Sequence, residues 1–287
     1  MRMGRKYLKE FIIELRDKRK EELGINSFIL SLNGMNGSGK SYQVKQLEDR
    51  IRKGHEISTV NVFRPTSVYK TPERVEYMKN MVETLEENPD DTIKIYTKEA
   101  VQAWRTFLPI AKREGVLIID RDAYSSLAIQ MIIRNLHPNS RETLEIAEKL
   151  FTYPITPPDL AIFTISDLET ALRREEDRRE DLMLKSQGDA PSKYYKVAYK
   201  KLNNEKEIPD NEKLIWWYSQ LKKTYEILNR HIPNSELLVT GENDREGLNP
   251  TLFETFKSKY NQFMSHKREI VNRSMRYSAS IRSYKKE

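Results

Sequence analysis

The chain of 287 residues contains no cysteine, which excludes disulfide bonds and thiolate metal sites. It has no run of eighteen apolar residues, so no transmembrane helix is predicted. The basic residues near the N-terminus are not followed by the uninterrupted apolar stretch of a secretory signal. The four histidines are widely separated in the sequence, and none pairs at a spacing typical of metal ligands. These absences, with 32% charged residues, predict a soluble, cytoplasmic protein.

Glycine is also scarce, with ten residues in the whole chain, yet three of the ten lie within eight positions. Residues 34–41 read G-M-N-G-S-G-K-S, which matches the phosphate-binding pattern G-x-x-x-x-G-K-[ST]. An apolar run over 28–32 precedes this loop and predicts a buried strand, and 42–53 has the apolar spacing of a helix. A loop in this context cradles phosphates with its backbone N–H groups. The alternative is a glycine-rich turn that binds no ligand.

The loop therefore predicts binding of ATP together with Mg²⁺. Lys40 is expected to reach the β- and γ-phosphates, and the Ser41 hydroxyl to hold the metal. The residues of the loop predicted to bind ATP are Gly34, Asn36, Gly37, Ser38, Gly39, Lys40 and Ser41.

Short apolar segments alternate with helical patterns along the rest of the chain. Helices are predicted at 5–23, 73–88, 95–113, from 168, 214–231 and 250–264, and further strands at 57–63, 116–119, 160–165 and 236–239. This alternation is typical of an α/β fold, in which a parallel sheet carries helices on both faces and binds ligands at the carboxyl ends of its strands. We predict a P-loop NTPase fold with an inserted lid.

Three regions follow from this pattern. Residues 1–25 form an N-terminal helical extension, residues 26–264 the P-loop domain with a polar lid and insertion at about 174–213, and residues 265–287 a basic tail. From His266 onward, seven Lys or Arg stand against two Glu, a net charge of +5. The tail is either a nucleic-acid contact or a solvated, poorly ordered terminus, and the second interpretation is favoured.

Arginines follow the predicted strands, where phosphate ligands are expected. Arg64 follows the second strand, and Asp120-Arg121 follow the third. A planar guanidinium donates two hydrogen bonds to phosphate, and a carboxylate at a strand end can hold the Mg²⁺ shell. Four more arginines fall within 173–179, but acidic residues alternate with them. A solvated helix face is therefore the alternative interpretation of that cluster.

Residues 120–130, D-R-D-A-Y-S-S-L-A-I-Q, resemble the D-R-Y-x-x-S-S-x-A-Y-Q signature of thymidylate kinases. Pro158-Asp159-Leu160 and the arginines that follow, Arg174 and Arg178, resemble that family's P-D-L strand and the start of its lid. With the phosphate-binding loop, three motifs fall in the family's order, over roughly residues 26–263.

The resemblance implies roles for particular residues. The implied catalytic residues are Lys40, Asp120, Arg121, Arg174 and Arg178, and the metal is implied to lie at Ser41 and Asp120. Thr240 and Glu242 are implied to lie near the adenine. The implied acceptor site consists of Arg64, Glu99, Arg121, Ser125 and Gln130. The resemblance also implies a homodimer formed through helices beside the acceptor site.

Several positions depart from the family pattern. Asn36 replaces an Asp near the acceptor sugar, Asp122 replaces the Tyr of D-R-Y, and Ile129 that of A-Y-Q. A gap-free count back from Pro109 places Glu99 where the family has an arginine that binds thymine. A carboxylate accepts rather than donates hydrogen bonds, so the departure indicates an acceptor base other than thymine. The alternative is that Glu99 lies on the outer surface of its helix.

Three functions remain at this point. The leading hypothesis is a nucleoside monophosphate kinase, because no carboxylate that could activate a hydroxyl follows the second strand until Glu73. The second is a kinase acting on a hydroxyl of DNA, RNA or a modified base, with Asp122 as the base and the tail and N-terminal helix holding the polymer. The third is a nucleotide-dependent binding protein without transfer activity.

Overall fold

A computed structural model describes residues 7–35, 37–54, 57, 59–63, 84, 88–174, 198–200, 202–203, 209–241 and 249–284. The chain divides into two units, Met1–Leu248 and Asn249–Glu287. The strands are β1 (Phe28–Gly34), β2 (Val60–Phe63), β3 (Val116–Asp120), β4 (Leu160–Ser166) and β5 (Ser235–Thr240). The helices are α1 (Leu8–Leu23), α2 (Lys40–Lys53), α3 (Pro89–Ala111), α4 (Ala123–Ile133), α5 (Arg141–Leu150), α6 (Asp210–His231) and α7 (Pro250–Tyr284). Residues 168–174 are also helical.

The five strands form one all-parallel sheet in the order β2-β3-β1-β4-β5, flanked by helices. Every residue of β1, β3 and β4 is buried, which explains why these strands are continuous apolar runs rather than alternating ones. Strand β1 is central, and its register pairs Leu32 with Asp120 of β3 and Gly34 with Thr164 of β4. The carboxyl ends of three adjacent strands therefore meet where the phosphate-binding loop begins. The predicted α/β fold is confirmed.

Element boundaries differ from the predicted ones where capping residues decide them. Helix α3 begins at Pro89, not at 95, because the Asn88 side chain accepts the N–H of Asp90 and caps the helix there. Strand β2 begins at Val60 rather than 57. Helices α4 and α5 were not predicted from periodicity. Most of the predicted helix 73–88 and most of the predicted insertion lie outside the described residues.

Part of the predicted insertion is packed. Residues 198–200 are helical, Ala198 is fully buried, and the ring of Tyr199 meets Trp216 of α6 edge-on at 5.3 Å. Helix α6 also starts at Asp210 instead of 214. The described C-terminal part of the predicted insertion is therefore helical in part and packs against α6.

Helix α1 is part of the core. Leu8 and Ile12 are fully buried, and Lys20 forms an ion pair with Asp159 just before β4, with Nζ and Oδ2 2.5 Å apart and both side chains nearly buried. Asp159 Oδ2 also accepts the N–H of Ile29 at 2.8 Å, and Lys20 donates to the Ser27 carbonyl at 3.1 Å. Burial lowers the pKa of Lys20, and Asp159 opposes that effect. The ion pair thus joins α1 to the amino ends of β1 and β4.

Helix α7 contains 35 residues and runs through the predicted boundary between 264 and 265, so most of the basic tail is helical. Within it, the rings of Phe256 and Tyr260 stack at 5.7 Å. Among the helices that the structure describes, none has both the length and the apolar composition to cross a membrane.

Lys20→Ala should lower the free energy of unfolding by about 3–5 kcal/mol, because it leaves the Asp159 carboxylate buried without its cation. Lys18→Ala is the matched control, since the pair of Lys18 with Glu22 on the same helix is exposed and should contribute at most about 0.5 kcal/mol. Urea denaturation of both variants checks this. Equal losses would show that the Lys20–Asp159 pair does not anchor α1.

Candidate active site

The phosphate-binding loop, residues 34–41, joins β1 to α2 and depends on its glycines. Gly37 and Gly39 have φ angles of 73° and 70°, in the left-handed region that residues with a Cβ rarely adopt. A Cβ on Gly37 would collide with the backbone of Ala171, and one on Gly34 with Thr164. Glycine is therefore required both by backbone conformation and by close approach of the neighbouring chain.

Buried hydroxyl groups form hydrogen bonds with the backbone of the loop. The Ser38 side chain donates to the Met35 carbonyl at 2.8 Å and lies 2.9 Å from the Thr164 hydroxyl. Thr240, at the end of β5, donates to the Ser38 carbonyl at 2.9 Å. Thr240 was predicted near the adenine, and the structure places its hydroxyl on the loop backbone.

The loop and β3 bring together two oxygen ligands suited to Mg²⁺. The Ser41 hydroxyl lies 3.3 Å from Asp120 Oδ2, to which it donates a hydrogen bond. Asp120 ends β3, is 2% exposed and stands beside Leu32 in the sheet register. A hydroxyl and a carboxylate are hard oxygen donors of the kind that Mg²⁺ prefers. The residues present therefore fit the metal that the loop predicts.

Arg121 lies against the base of the loop. It has a φ of 67°, which is unusual for a residue with a Cβ. Its backbone N–H donates to the Leu32 carbonyl at 2.9 Å, and its guanidinium donates to the Gly34 carbonyl at 3.1 Å. The structure thus places the predicted phosphate-binding arginine directly beside the phosphate-binding loop.

Arg174 joins two parts of the predicted ATP site. Its guanidinium donates to the Gly37 carbonyl at 3.1 Å and to the Gly241 carbonyl, just after β5, at 2.6 Å. The solvated-face interpretation is therefore wrong for Arg174. The neighbouring Arg173 is exposed.

Glu99 lies on the inner side of α3 and is only 7% exposed. Its Oε2 atom accepts no hydrogen bond from the residues described, and burial raises the pKa of its carboxyl. The interpretation of Glu99 as an outer-surface residue is therefore wrong.

Helix α3 ends at the amino end of the sheet, where the Ala111 carbonyl accepts the N–H groups of Asn26 and Ser27. Glu99 lies twelve residues before Ala111, about 18 Å along the helix axis from this contact.

The other two described acceptor-site candidates make hydrogen bonds within the protein. Ser125 donates to Asn33 Oδ1 at 2.7 Å. Gln130 donates to the Thr92 hydroxyl at 2.8 Å and accepts from Arg134 at 3.0 Å, so its amide joins α4 to α3. Of the remaining predicted site residues, Asn36, Arg64, Arg178 and Glu242 lie outside the described residues.

Asp122 caps α4, because its Oδ1 accepts the N–H of Tyr124 at 2.8 Å. Burial raises the pKa of Asp122 to about 6, while the Ser31 hydroxyl and the Tyr124 N–H act in the opposite direction. The Asp122 backbone N–H donates to Asn33 Oδ1 at 3.1 Å. Asn33 was not among the predicted residues, although a polar side chain within an apolar strand was the available signal.

Two histidines that are distant in sequence come together away from these motifs. The rings of His137 and His231 lie 5.9 Å apart in an edge-to-face arrangement. Their separation in the sequence therefore did not indicate their separation in space.

The family model described as Thymidylate kinase matches residues 32–215, more than half of the chain. A thymidylate kinase from Candida albicans, whose structure is described as revealing the origin of broad substrate specificity, is 18% identical, with a TM-score of 0.55 over 82% of this chain and 93% of that one. A thymidylate kinase from Ehrlichia chaffeensis is 14% identical, with a TM-score of 0.39 over 56% and 88% of the two chains. No curated protein matches the chain in sequence.

Asp122→Asn should change how stability depends on pH. Because the folded protein raises the pKa of Asp122 from 3.8 to about 6, the folded state binds this proton more tightly than the unfolded state. The stabilisation is complete below the unfolded pKa and is lost as the pH rises through about 6. Asn retains the capping oxygen and does not ionise. The variant should therefore gain roughly 3 kcal/mol relative to the native protein between about pH 4 and pH 7. Urea denaturation across this range checks the prediction, and a difference that stays constant with pH would contradict it.

Proposed function

Because the chain belongs to the thymidylate kinase family, a family of nucleoside monophosphate kinases, we propose that it transfers the γ-phosphoryl group of ATP to a nucleoside monophosphate whose base differs from thymine. The observation that carries this proposal is the convergence of Ser41, Asp120 and Arg121 on one phosphate-binding loop. Phosphoryl transfer needs placed positive charge, a metal and an acceptor held in line rather than covalent chemistry by the protein.

Different residues of the loop bind different parts of ATP. Backbone N–H groups of the loop, at the positive end of α2, bind the phosphates, and Lys40 neutralises charge on the transferring group. Ser41 and Asp120 would hold Mg²⁺, and the bound metal would offset the negative charge of the phosphates. Arg121 binds the acceptor phosphate from the side of β3. Arg174, with Arg178, stabilises the transferring group from the start of the lid.

The environment of Asp122 favours a phosphate acceptor over a hydroxyl of a polymer. A hydroxyl acceptor calls for a nearby base, and Asp122 was the candidate. In the structure Asp122 is 4% exposed and one of its oxygens caps α4, so its carboxylate serves the fold. A monophosphate acceptor is already anionic and needs no such base.

Lys40→Ala should fold normally and lose about a hundredfold or more in kcat, because it removes charge that stabilises the transition state. Lys45→Ala is the matched control, since Lys45 is exposed on the same helix and should keep native turnover. The assay follows labelled phosphate from ATP to a panel of nucleosides, monophosphates and oligonucleotides. A folded Lys40→Ala protein with near-native transfer would rule out the proposed function.

The acceptor base is the part of the proposal in which this chain departs from its family. Glu99 has a buried carboxylate, and within the described residues its Oε2 has no hydrogen-bond donor. A buried acceptor without a donor costs about 1–3 kcal/mol. An exocyclic amine of the bound base supplies that donor, whereas the carbonyl oxygens of thymine repel the carboxylate. We therefore expect an amino-bearing base in preference to thymine.

Glu99→Arg should shift the preference toward thymidylate by about tenfold to a hundredfold without altering ATP affinity. Gln102→Arg, which places the same side chain on the exposed side of α3, should leave the preference unchanged. Glu99→Gln serves as a conservative variant if the arginine disturbs folding, and it should weaken discrimination between amino-bearing bases and thymine. The measurement is kcat/KM for each monophosphate. Tight thymidylate specificity that does not respond to any change at Glu99 would contradict this assignment.

Two wider proposals can be tested in the same way. If the basic tail on α7 contacts nucleic acid, oligonucleotides should gain label or bind in a salt-dependent manner. The homodimer implied by the family resemblance is tested by measuring the mass of the protein in solution.

A further inference from the structure

Asn33 is a fully buried polar residue in the central strand, directly before the phosphate-binding loop. Its side-chain oxygen accepts two hydrogen bonds from the start of α4, one from the backbone N–H of Asp122 at 3.1 Å and one from the Ser125 hydroxyl at 2.7 Å. Its side-chain nitrogen donates to the Ser31 hydroxyl at 3.1 Å. Both ends of the amide are thereby used, and its orientation is fixed.

We propose that Asn33 is a positioning residue that aims Arg121 at the acceptor phosphate; this inference rests on the proposed function. Arg121 stands between two attachments to β1. Its own N–H is held by the Leu32 carbonyl, and the N–H of the next residue is held by Asn33 Oδ1. The two hydrogen bonds fix the chain on both sides of Arg121.

The backbone of Arg121 needs such support. A left-handed conformation is unfavourable for a residue with a Cβ, and it persists only where surrounding contacts determine it. The hydrogen bonds from Leu32 and Asn33 are contacts of this kind. Without the Asn33 side chain, the backbone of Arg121 is free to leave the left-handed region. The Arg121 guanidinium then no longer donates to the Gly34 carbonyl.

The same residue links this arginine to the loop. The backbone carbonyl of Asn33 accepts the Thr164 hydroxyl at 2.9 Å, and Thr164 lies 2.9 Å from the Ser38 hydroxyl within the loop. The backbone of Asn33 thus contributes to the support of the ATP site, while its side chain holds the arginine assigned to the acceptor. Removing only the side-chain amide should therefore affect the acceptor and leave ATP binding intact.

The test is a double-mutant cycle of Asn33→Ala and Arg121→Ala in the full-length protein, with kcat and KM measured for the acceptor and Kd for ATP. Asn33→Ala should lower kcat/KM for the acceptor by about tenfold to a hundredfold and change the ATP Kd by less than about twofold. In the double variant the Asn33 change should add little to the loss caused by Arg121→Ala, because both remove the same interaction. Fully additive losses, or equal losses in ATP affinity, would overturn the proposal.

Asn33→Asp keeps an oxygen that can accept both hydrogen bonds. This variant replaces Asn33→Ala in the test if the alanine variant does not fold. Its activity should stay within about tenfold of native. Adding Arg121→Ala to Asn33→Asp should cause the same loss of activity as adding it to the native protein. A loss as large as that of Arg121→Ala itself would contradict the inference.

A readout independent of activity separates this proposal from the proposed function. Amide hydrogen exchange at Asp122 should be at least about tenfold faster in Asn33→Ala than in the native protein, while Ile162 in β4 keeps its native rate. A native protein without transfer activity would contradict the proposed function alone. Unchanged exchange at Asp122 would contradict the role of Asn33 whatever the activity.

Discussion

The site depends on the junction where β1 passes into the phosphate-binding loop between β3 and β4. The register places Asp120 beside Leu32 and Thr164 beside Gly34, so a carboxylate and a hydroxyl flank the point at which the chain turns. The turn itself is possible because Gly37 has a positive φ and its missing Cβ leaves room for the backbone of Ala171. Ordering this segment has an entropic cost, which the buried hydroxyls of Ser38 and Thr240 help to offset by binding loop carbonyls.

The phosphate chemistry and the fold could be predicted because they depend on local patterns. The glycine loop requires a preceding strand and a following helix, and continuous apolar runs identify strands buried on both faces. Helix α5 was missed, although Ser140 caps it by accepting the Thr143 N–H and its buried residues Ile146, Ala147 and Leu150 have the spacing of one helix face. Helix α3 starts earlier than predicted because the Asn88 side chain caps it before Pro89.

Other features depend on contacts between distant parts of the chain. The periodicity of α3 predicts that Ala100 and Trp104 face the core. Whether Glu99 beside them is also buried depends on how much of the helix surface its neighbours cover, and that is determined by packing. The role of Asn33 depends on residues about ninety positions away. Lys20 and Asp159 meet across 139 positions, and this contact joins the predicted N-terminal extension to the core. Sequence patterns show residue types, whereas these contacts require the sheet order.

The central claim is that the loop, its metal ligands and Arg121 serve transfer to a small monophosphate rather than hydrolysis or binding alone. The most direct measurement is ³¹P NMR of the protein with ATP, Mg²⁺ and a mixture of amino-bearing nucleoside monophosphates. The account predicts that ADP and a nucleoside diphosphate form in equal amounts, without accumulation of inorganic phosphate. Release of inorganic phosphate without a diphosphate product, or unchanged ATP in the presence of every monophosphate, would contradict it.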